Sequence, residues 1–337
     1  MKRIALADIH LSAYKDDQLA DSGLPQRLHD LIGVIKTVCK FARTNGIEYI
    51  DILGDLHHDK NIIFTDAQNA FKDIIVEFSD LQFMIFSGNH DLSSTGDYQT
   101  SAISAFEGYA NVTCYTKPVV MGNVTIIPYS NQLVKHIHEA EPNDILLSHF
   151  GLSEGQLQSG LSIISDVKMS NLSKFKLVLL GHYHLPQKIE NDNTILYYVG
   201  SPIHANWNDK NQKKRFIVYD SESMEIMSLP LTGFQEYREL NIIEGSDQKE
   251  ILEEASMLRE KGHRVKVRNK TKDKVVDASS DLIVIEEGGD IDITQRGLST
   301  EMSTVQQMEK YIELQEIPED KRELYLNIGK RCIDGSN

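Results

Sequence analysis

Five segments of the chain contain residue types that commonly bind metal ions. They are Asp8-Ile9-His10, Gly54-Asp55, Gly88-Asn89-His90-Asp91, Ser148-His149 and Gly181-His182-Tyr183-His184. Carboxylate and amide oxygens and imidazole nitrogens suit divalent ions, and two such ions about 4 Å apart can promote in-line attack on phosphorus. We therefore predict a dinuclear metal site with these ligands: Asp8, His10, Asp55, Asn89, His149, His182 and His184.

The spacing within the segments supports this interpretation. Asp8 and His10 are two residues apart, so at an extended strand end their side chains point the same way, and His182 and His184 share this spacing. Asp55 is the natural bridging carboxylate. The alternative for any one of these residues is a strand-end polar group bonded to loop backbone, which is the better reading of a lone histidine. Five such clusters in order are not expected by chance.

Short apolar runs precede all five clusters, as in Ile4-Ala5-Leu6-Ala7 before Asp8. Continuous apolar runs bounded by glycine or polar residues are typical of strands buried on both faces. Apolar residues at helical spacing separate several runs, over residues 28–39 and 67–78. Alternation of strand and helix predicts an α/β sheet, in which ligands gather at the carboxyl ends of strands. Further strand-like runs at 124–127, 195–199 and 216–219 predict additional sheet.

The five segments resemble the motifs of the calcineurin-like metallophosphoesterases. Within that superfamily their order and spacing most resemble the SbcD-type (Mre family) nucleases, and Gly200-Ser201-Pro202 after the last motif adds to the resemblance. The motifs cover residues 8–202. The resemblance implies an α/β phosphoesterase sandwich of two central sheets flanked by helices, with a small α+β capping domain and a C-terminal helical tail.

The domain layout follows from a composition shift near Thr232-Gly233 and a linker-like stretch at residues 286–290. We predict a metallophosphoesterase (nuclease) domain over 1–232 and a capping, DNA-binding domain over 233–286. A linker over 287–301 would then lead to a helical, ATPase-binding tail over 302–334.

The resemblance also assigns the ligands to two ions. It implies a first metal ion held by Asp8, His10, Asp55 and His184, and a second held by Asp55, Asn89, His149 and His182. Because the ligands are oxygen and nitrogen without thiolates, manganese suits them best, and we predict two Mn²⁺ ions.

Three further residues receive catalytic roles from the resemblance. It implies that His90 lies over the scissile phosphate as a transition-state stabiliser or proton donor, and that Asp91 orients it. It also implies a second functional histidine near the substrate, which we assign to His58. Family members usually carry an aromatic residue where this chain has His57, so His57 remains the alternative to His58.

Bulk properties narrow the class of protein. The 337 residues carry a formal net charge of -15, which by itself argues against a nucleic-acid binder. The three cysteines are widely scattered, as expected for reduced thiols of a cytosolic protein. Asp8 interrupts the first apolar run too early for a signal peptide, and no run approaches the roughly 20 apolar residues of a membrane span. We predict a cytoplasmic protein with no membrane association.

The charge is distributed unevenly, and residues 259–274 carry a local charge of +6. Val265 and Val267 alternate with basic residues, so a strand here would bury one side and present a basic ribbon on the other. We predict that Lys266, Arg268 and Lys270 contact DNA. The alternative is an edge strand protected from aggregation by its lysines. A second basic cluster is a further candidate, and it consists of Lys210, Lys213, Lys214 and Arg215.

Partner surfaces are predicted at two places. Apolar residues recur at helical spacing in the tail, at Met302, Val305, Met308 and Ile312 and again at Leu324 and Ile328. We hypothesise that this tail docks a partner, and the resemblance suggests an SbcC-type ABC ATPase with a coiled coil. Segments 64–78 and 98–106 form a homodimer interface if the family pattern holds, or else pack onto the sheet. His136 and His138 lie in a predicted helix over 133–140, where we interpret them as surface residues.

The leading hypothesis is therefore a manganese-dependent DNA nuclease of repair and recombination. It would act as an exonuclease on duplex ends and an endonuclease on single strands, as a dimer with the ATPase. One alternative is a calcineurin-like phosphodiesterase or phosphatase acting on nucleotides or phosphoproteins. Another is a non-catalytic scaffold of the ATPase complex, against which the complete ligand set argues.

Overall fold

A computed structural model describes residues 1–14, 17–93, 101–157, 165–273, 275 and 282–286, and the single positions 312, 322 and 326. By internal contacts the chain forms two compact units. The first contains Met1–Glu239 and Met257–Val265, and the second contains Leu240–Ser256 and Lys266–Asn337. The functional domain boundaries inferred from the sequence stay predictions.

The described elements alternate between strand and helix in the first part of the chain. The helices are α1 (Gln26–Thr44), α2 (Thr65–Glu77), α3 (Leu133–Glu139) and α4 (Gln248–Glu260), with short 3₁₀ turns at Ala102–Phe106, Met169–Leu172 and Trp207–Asp209. The strands are β1 (Lys2–Leu6), β2 (Tyr49–Leu53), β3 (Gln82–Phe86), β4 (Val112–Tyr115), β5 (Val119–Met121), β6 (Val124–Ile127), β7 (Asn143–His149), β8 (Phe175–Gly181), β9 (Gln187–Glu190), β10 (Ile195–Tyr198), β11 (Arg215–Asp220), β12 (Ile226–Pro230), β13 (Tyr237–Ile242), β14 (Arg264–Asn269) and β15 (Ile283–Glu286).

Two mixed sheets form the centre of the first unit. One has the order β12-β11-β1-β2-β3-β4, and β1 to β4 run parallel while β11 and β12 pair antiparallel. The other has the order β5-β6-β7-β8-β10-β9, with a parallel centre and antiparallel edges. The predicted α/β fold with two central sheets is confirmed.

The two sheets face each other across one apolar cluster. Leu53 and Phe86 of the first sheet pack in the same buried cluster as Leu147 and Leu179 of the second. The central strands are buried on both faces because helices or the other sheet cover each side, which explains their unbroken apolar runs. The carboxyl ends of β1, β2, β3, β7 and β8 carry the five predicted clusters.

The helical spacing of the sequence is also confirmed. Leu28, Leu31 and Cys39 face the core from α1, and Phe71 and Ile74 do so from α2. In the segments predicted as a possible dimer interface, these apolar residues of α2 pack in the core of the chain itself. Residues 94–100 lie outside the described part, so dimerisation stays a prediction.

A three-stranded sheet of order β13-β14-β15 contains the basic segment. On β14, Val265 and Val267 are buried while Lys266 and Arg268 are half-buried, as the predicted alternation requires. Because β14 lies between two strands, the alternative reading of this segment as a protected edge strand is wrong.

The predicted helical tail lies almost wholly outside the described residues. Of its apolar stripe only Ile312 is described, and it is buried in a helical conformation. The docking role of the tail stays a prediction. His136 and His138 do lie on α3, where Ile137 between them is the buried residue.

Candidate active site

The backbone turns sharply where the first two clusters leave their strands. Asp8, His10 and Asp55 have φ values of 52°, 51° and 52°, in the left-handed region that non-glycine residues rarely adopt. Such strain costs of order 1–3 kcal/mol per residue and concentrates at functional sites. Here it accompanies the convergence of these side chains from two parallel strand ends.

A glycine next to the cluster permits close approach of its ligands. A Cβ atom at Gly88 would collide with the carboxylate and the amide of Asp55. The first residue of the Gly88-Asn89-His90-Asp91 motif is therefore required by the packing of the second motif against the third.

Three of the predicted ligands of the first ion converge. Single ligand atoms of Asp8, His10 and His184 all lie within 4.8 Å of one another. The Nε2 atoms of His10 and His184 are 2.9 Å apart. Two ring nitrogens at this separation suit a cation that accepts both lone pairs.

The predicted second set converges beside the first. Asn89 Oδ1 lies 3.1 Å from His149 Nε2 and 3.0 Å from His182 Nδ1. Asp55 Oδ2 is 3.3 Å from His149 Nε2 and 3.7 Å from His10 Nε2, so one carboxylate oxygen faces a histidine of each set. That is the position required of a bridging ligand.

Unpartnered atoms show that these residues fit metal ions. Asp8 Oδ2 and His184 Nδ1 are buried and have no hydrogen-bond partner in the described part of the chain. Buried polar atoms are nearly always paired, so an orphaned carboxylate oxygen among imidazoles indicates a cation site. The donor set, oxygen and nitrogen without sulfur, fits hard to borderline divalent ions.

The electrostatics of the cluster match this interpretation. Burial raises the pKa of Asp8 to about 7, and the neighbouring Asp55 carboxylate acts in the same direction while His149 opposes. Burial lowers the pKa values of His182 and His184 to about 4, and that of His10 well below its usual range. These three imidazoles are neutral at pH 7 with lone pairs available, as metal ligands must be.

His149 and Asp55 shift each other's pKa values. Burial acts to lower the pKa of His149, but the carboxylates of Asp55 and Asp8 and the Leu53 carbonyl together raise that pKa to about 9. Burial acts in the opposite sense on Asp55, yet His149 and His10 hold the pKa of this carboxyl well below its usual range. Asp55 is therefore ionised, and a cation would take the place of the His149 proton.

His90 and His58 lie at the open side of the cluster. The His90 amide donates to Asp55 Oδ1 at 2.8 Å, and its ring centroid is 5.0 Å from that of His10. His90 Nδ1 contacts the backbone carbonyl of His58, which can only accept, so Nδ1 carries a proton and Nε2 is left to act. The exposed His58 ring stacks on His90 at 5.9 Å, with its Nδ1 3.4 Å from His10 Nδ1.

His57 lies in a different environment. It is buried, with Nε2 2.9 Å from Gln68 Oε1 of α2 and Nδ1 3.2 Å from Asp91 Oδ1. Its ring stacks on Phe106 in the core. The structure thus places His58, the assigned residue, beside the cluster, whereas His57 packs behind it.

Asp91 makes contacts that the sequence does not reveal. Its carboxylate accepts from the amides of Leu56, His57 and Gly88 at 2.9–3.2 Å, and from the His57 ring. These contacts tie the loop after β3 to the loop after β2. The role of orienting the His90 ring stays a prediction, and the contacts give Asp91 a structural role in placing the backbone of both motifs.

The second basic cluster is mostly paired within the protein, and this expectation needs correction, because Lys213 alone of its four residues is exposed. Lys214 is fully buried and pairs with Asp209, while Lys210 pairs with Glu239. Arg215 donates to the backbone carbonyls of Gln187 and Tyr198. Lysine side chains become fully buried only when paired, and a run of charges in sequence does not show such pairing. Lys266, Arg268 and Lys270 belong to the three-stranded sheet and its following turn, and their contact with DNA stays a prediction.

Two residues near the cluster were missed by the sequence analysis. The Tyr14 hydroxyl donates to the backbone carbonyl of His10 at 2.8 Å, and the Tyr129 ring lies edge-on to His149 at 6.4 Å. Tyr14 follows the first motif by four residues, which is a weak signal. Tyr129 follows β6, another strand ending at the same edge of the sheet.

Comparison with known proteins identifies the family. The family model for calcineurin-like phosphoesterases matches residues 1–186, more than half of the chain. The chain belongs to the calcineurin-like phosphoesterase family. This match, together with the convergent ligands, confirms the predicted enzyme class, a metal-dependent phosphodiesterase.

Two curated relatives of this phosphoesterase are named as the SbcD component of the nuclease SbcCD. The protein from Staphylococcus epidermidis is 29% identical over 132 residues, which is 38% of this chain and 32% of that protein. The protein from Staphylococcus saprophyticus subsp. saprophyticus is 22% identical over 291 residues, 75% of this chain and 74% of that protein. The first alignment therefore spans about a third of the relative's length.

Solved structures also resemble this phosphoesterase. A dimetal phosphatase from Danio rerio aligns with a TM-score of 0.44 and 10% identity, over 69% of this chain and 99% of that chain.

In the part of the chain that the structure describes, no helix combines the length and apolarity that crossing a bilayer requires.

Proposed function

We propose that this phosphoesterase is a manganese-dependent DNA nuclease that acts in repair with an SbcC-type ATPase. The observation that carries the proposal is the pair of donor sets sharing Asp55, whose Oδ2 faces His10 on one side and His149 on the other. A dinuclear site of oxygen and nitrogen ligands suits phosphodiester hydrolysis. Both relatives are named as a subunit of a nuclease, which supports a nucleic acid as the substrate.

In this proposal the ligands divide between the two ions as the motifs predict. Asp8, His10 and His184 would hold the first ion. Asn89, His149 and His182 would hold the second. Asp55 would contact both. Two bound cations would neutralise charge on the phosphoryl oxygens and increase the acidity of the attacking water.

The side chains of the open edge complete the reaction. His90 Nδ1 donates to the His58 carbonyl, so Nε2 is the ring nitrogen that faces the substrate. Through Nε2, His90 stabilises or protonates the leaving oxygen. His58 stacks on His90 and limits the orientations open to its ring. The hydrogen bond from the His90 backbone amide to Asp55 Oδ1 fixes the position of His90 relative to Asp55, the proposed bridging ligand.

The substrate is tested with four compounds and metal-stripped full-length protein. Manganese should restore cleavage of end-labelled duplex DNA, of circular single-stranded DNA and of a phosphodiester model compound, with a phosphomonoester hydrolysed poorly. Circular DNA has no ends, so its cleavage reports endonuclease activity separately. Preference for the monoester with inert DNA would instead identify a phosphatase, and no hydrolysis of any compound would identify a scaffold. Chelator added to each reaction is the control.

A further inference from the structure

Lys214 is a fully buried lysine with four polar contacts. Its Nζ lies 3.0 Å from the backbone carbonyl of His184, 2.9 Å from Ser201 Oγ, 2.9 Å from Asp209 Oδ1 and 2.8 Å from Gln212 Oε1. Both charged side chains of the Lys214–Asp209 pair have no exposed surface. An ammonium group has three donors, and here all of them face acceptors.

The acceptors come from segments around the last metal motif. His184 ends that motif, Ser201 lies in the Gly200-Ser201-Pro202 turn, and Asp209 lies in the 3₁₀ turn before β11. The turn packs directly on the motif, because a Cβ atom at Gly200 would come within 2.9 Å of the His184 carbonyl. Lys214 thus joins three loops from behind the metal ligands.

Asp209 is itself fixed in place. Its Oδ2 accepts from the amides of Ala205 and Asn206 at 2.8 and 3.2 Å, while Oδ1 accepts from Lys214. The carboxylate therefore holds the ammonium in one position, which in turn defines where the His184 carbonyl lies.

The His184 ring is not held in place by hydrogen bonds of its own. The ring Nδ1 is unpartnered among the described residues, and Nε2 faces His10 Nε2. The ring is therefore placed by its backbone, whose carbonyl accepts from Lys214 Nζ at 3.0 Å and from the Ser201 amide at 3.3 Å. The backbone carbonyl of His10, the other histidine proposed for the first ion, is held similarly by the Tyr14 hydroxyl.

We infer that the buried Lys214–Asp209 pair is a positioning device for the first metal ion, which sets the place of the His184 ligand through its backbone carbonyl. This inference rests on the proposed dinuclear site. Groups that orient ligands from behind typically change metal affinity 10- to 100-fold when removed. The four polar contacts of Lys214 are to loop groups and not to the side chain of a candidate ligand. Its removal is therefore expected to affect metal binding first, and turnover only through metal binding.

The test measures manganese binding to metal-stripped full-length protein by calorimetry and by the spin resonance signal of the manganese pair. Lys214→Met keeps the length of the side chain but removes the charge and the donors. It should weaken one of the two sites at least about 10-fold and replace the spectrum of a coupled pair by that of a single ion. Lys214→Met alone leaves the buried Asp209 carboxylate without its cation, which could prevent folding. The double variant Asp209→Asn with Lys214→Met removes that carboxylate as well, and it should show the same loss of manganese affinity.

Arg3→Met is the matched control. Arg3 also forms a buried ion pair, with Asp51, at the other end of β1, five residues before Asp8. The Arg3→Met variant should be less stable than the wild type, but its affinity for manganese should change by no more than about twofold. If the lysine variants bind two ions with wild-type affinity, or if Arg3→Met weakens a site equally, the inference is wrong. Failure of the wild-type protein to bind two ions would refute the proposed function instead.

Discussion

Replacing Asp8 by Asn should stabilise the metal-free protein at pH 8 while abolishing the first metal site. Asp8 is fully buried, with Oδ1 accepting the His182 amide at 2.8 Å and Oδ2 without a partner in the described part of the chain. Asn retains the oxygen that accepts this bond and has nearly the same shape. The substitution therefore removes a charge from a buried position without removing a contact.

The magnitude follows from the pKa of Asp8. Burial raises it from 3.8 to about 7. Because the folded pKa lies above the unfolded value, the stability contributed by the protonated form is fully present below pH 3.8 and is lost as the pH rises through about 7. About three pKa units at 1.36 kcal/mol each correspond to about 4 kcal/mol.

The assay is urea unfolding of chelator-treated wild type and Asp8→Asn at intervals between pH 4 and pH 8. The difference in unfolding free energy between the two proteins isolates Asp8, because the other titrating groups are common to both. It should grow in favour of the variant by up to about 4 kcal/mol towards pH 8. A difference that stays constant with pH, or a variant less stable than wild type at pH 8, would refute the reasoning.

Manganese should reduce the stability advantage of the variant. Ligand at 100 times its Kd stabilises a folded protein by about 2.7 kcal/mol, and the wild type should gain this from a site that the variant lacks. Equal stabilisation of both proteins by manganese would show that Asp8 is not a ligand.

Three further predictions test other parts of the proposal. His90→Ser should keep two manganese ions bound, measured by calorimetry, and reduce DNA cleavage by about 10²- to 10⁴-fold, because it removes a proton donor or charge stabiliser and no ligand; near-wild-type cleavage would reassign the role of His90. A triple variant with Gln at Lys266, Arg268 and Lys270 should lower the slope of log DNA affinity against log salt concentration by up to about 3, because each lost phosphate contact contributes about 0.9. Hydrolysis of the model diester should stay unchanged, which is the control. An unchanged slope would show that these residues do not contact DNA. Deletion of the residues after Asp290 should abolish co-purification with an SbcC-type ATPase and leave manganese-dependent diester hydrolysis intact, and retained binding would place the partner surface elsewhere.

The convergence of the candidate ligands could be predicted from sequence because each candidate lies directly at a strand end. An apolar run followed by Asp or His predicts a strand and places the polar side chain at its carboxyl end. Examples are Asp8, Asp55 and His149. Parallel strands bring their carboxyl ends to one edge, so convergence of the motifs needs no long-range information.

The positioning residues could not be predicted because their contacts are long-range. Lys214 lies in a charged run that is normally solvated, and nothing local indicates that its partners are His184 and Ser201. The bond between Asp91 and the amides of the previous motif joins residues 34 and 35 positions apart. Hydrophobic periodicity reports which residues are buried by apolar packing, and a buried ion pair has no such periodicity.

Backbone groups prearrange the cluster before any ion binds. Asp8 accepts from the His182 amide, Asp55 from the His90 amide, and the Leu53 carbonyl lies 2.8 Å from His149 Nδ1. Each of these bonds joins one motif to the backbone of another, so the ligand positions are fixed by the strands. Ionised Asp8 and Asp55 repel each other in this arrangement, and burial makes the repulsion stronger than in water. Because β1 and β2 are hydrogen-bonded neighbours in one sheet, Asp8 and Asp55 cannot move apart without breaking it. Protons or cations therefore relieve the repulsion, and it would add to the affinity of the site for divalent ions.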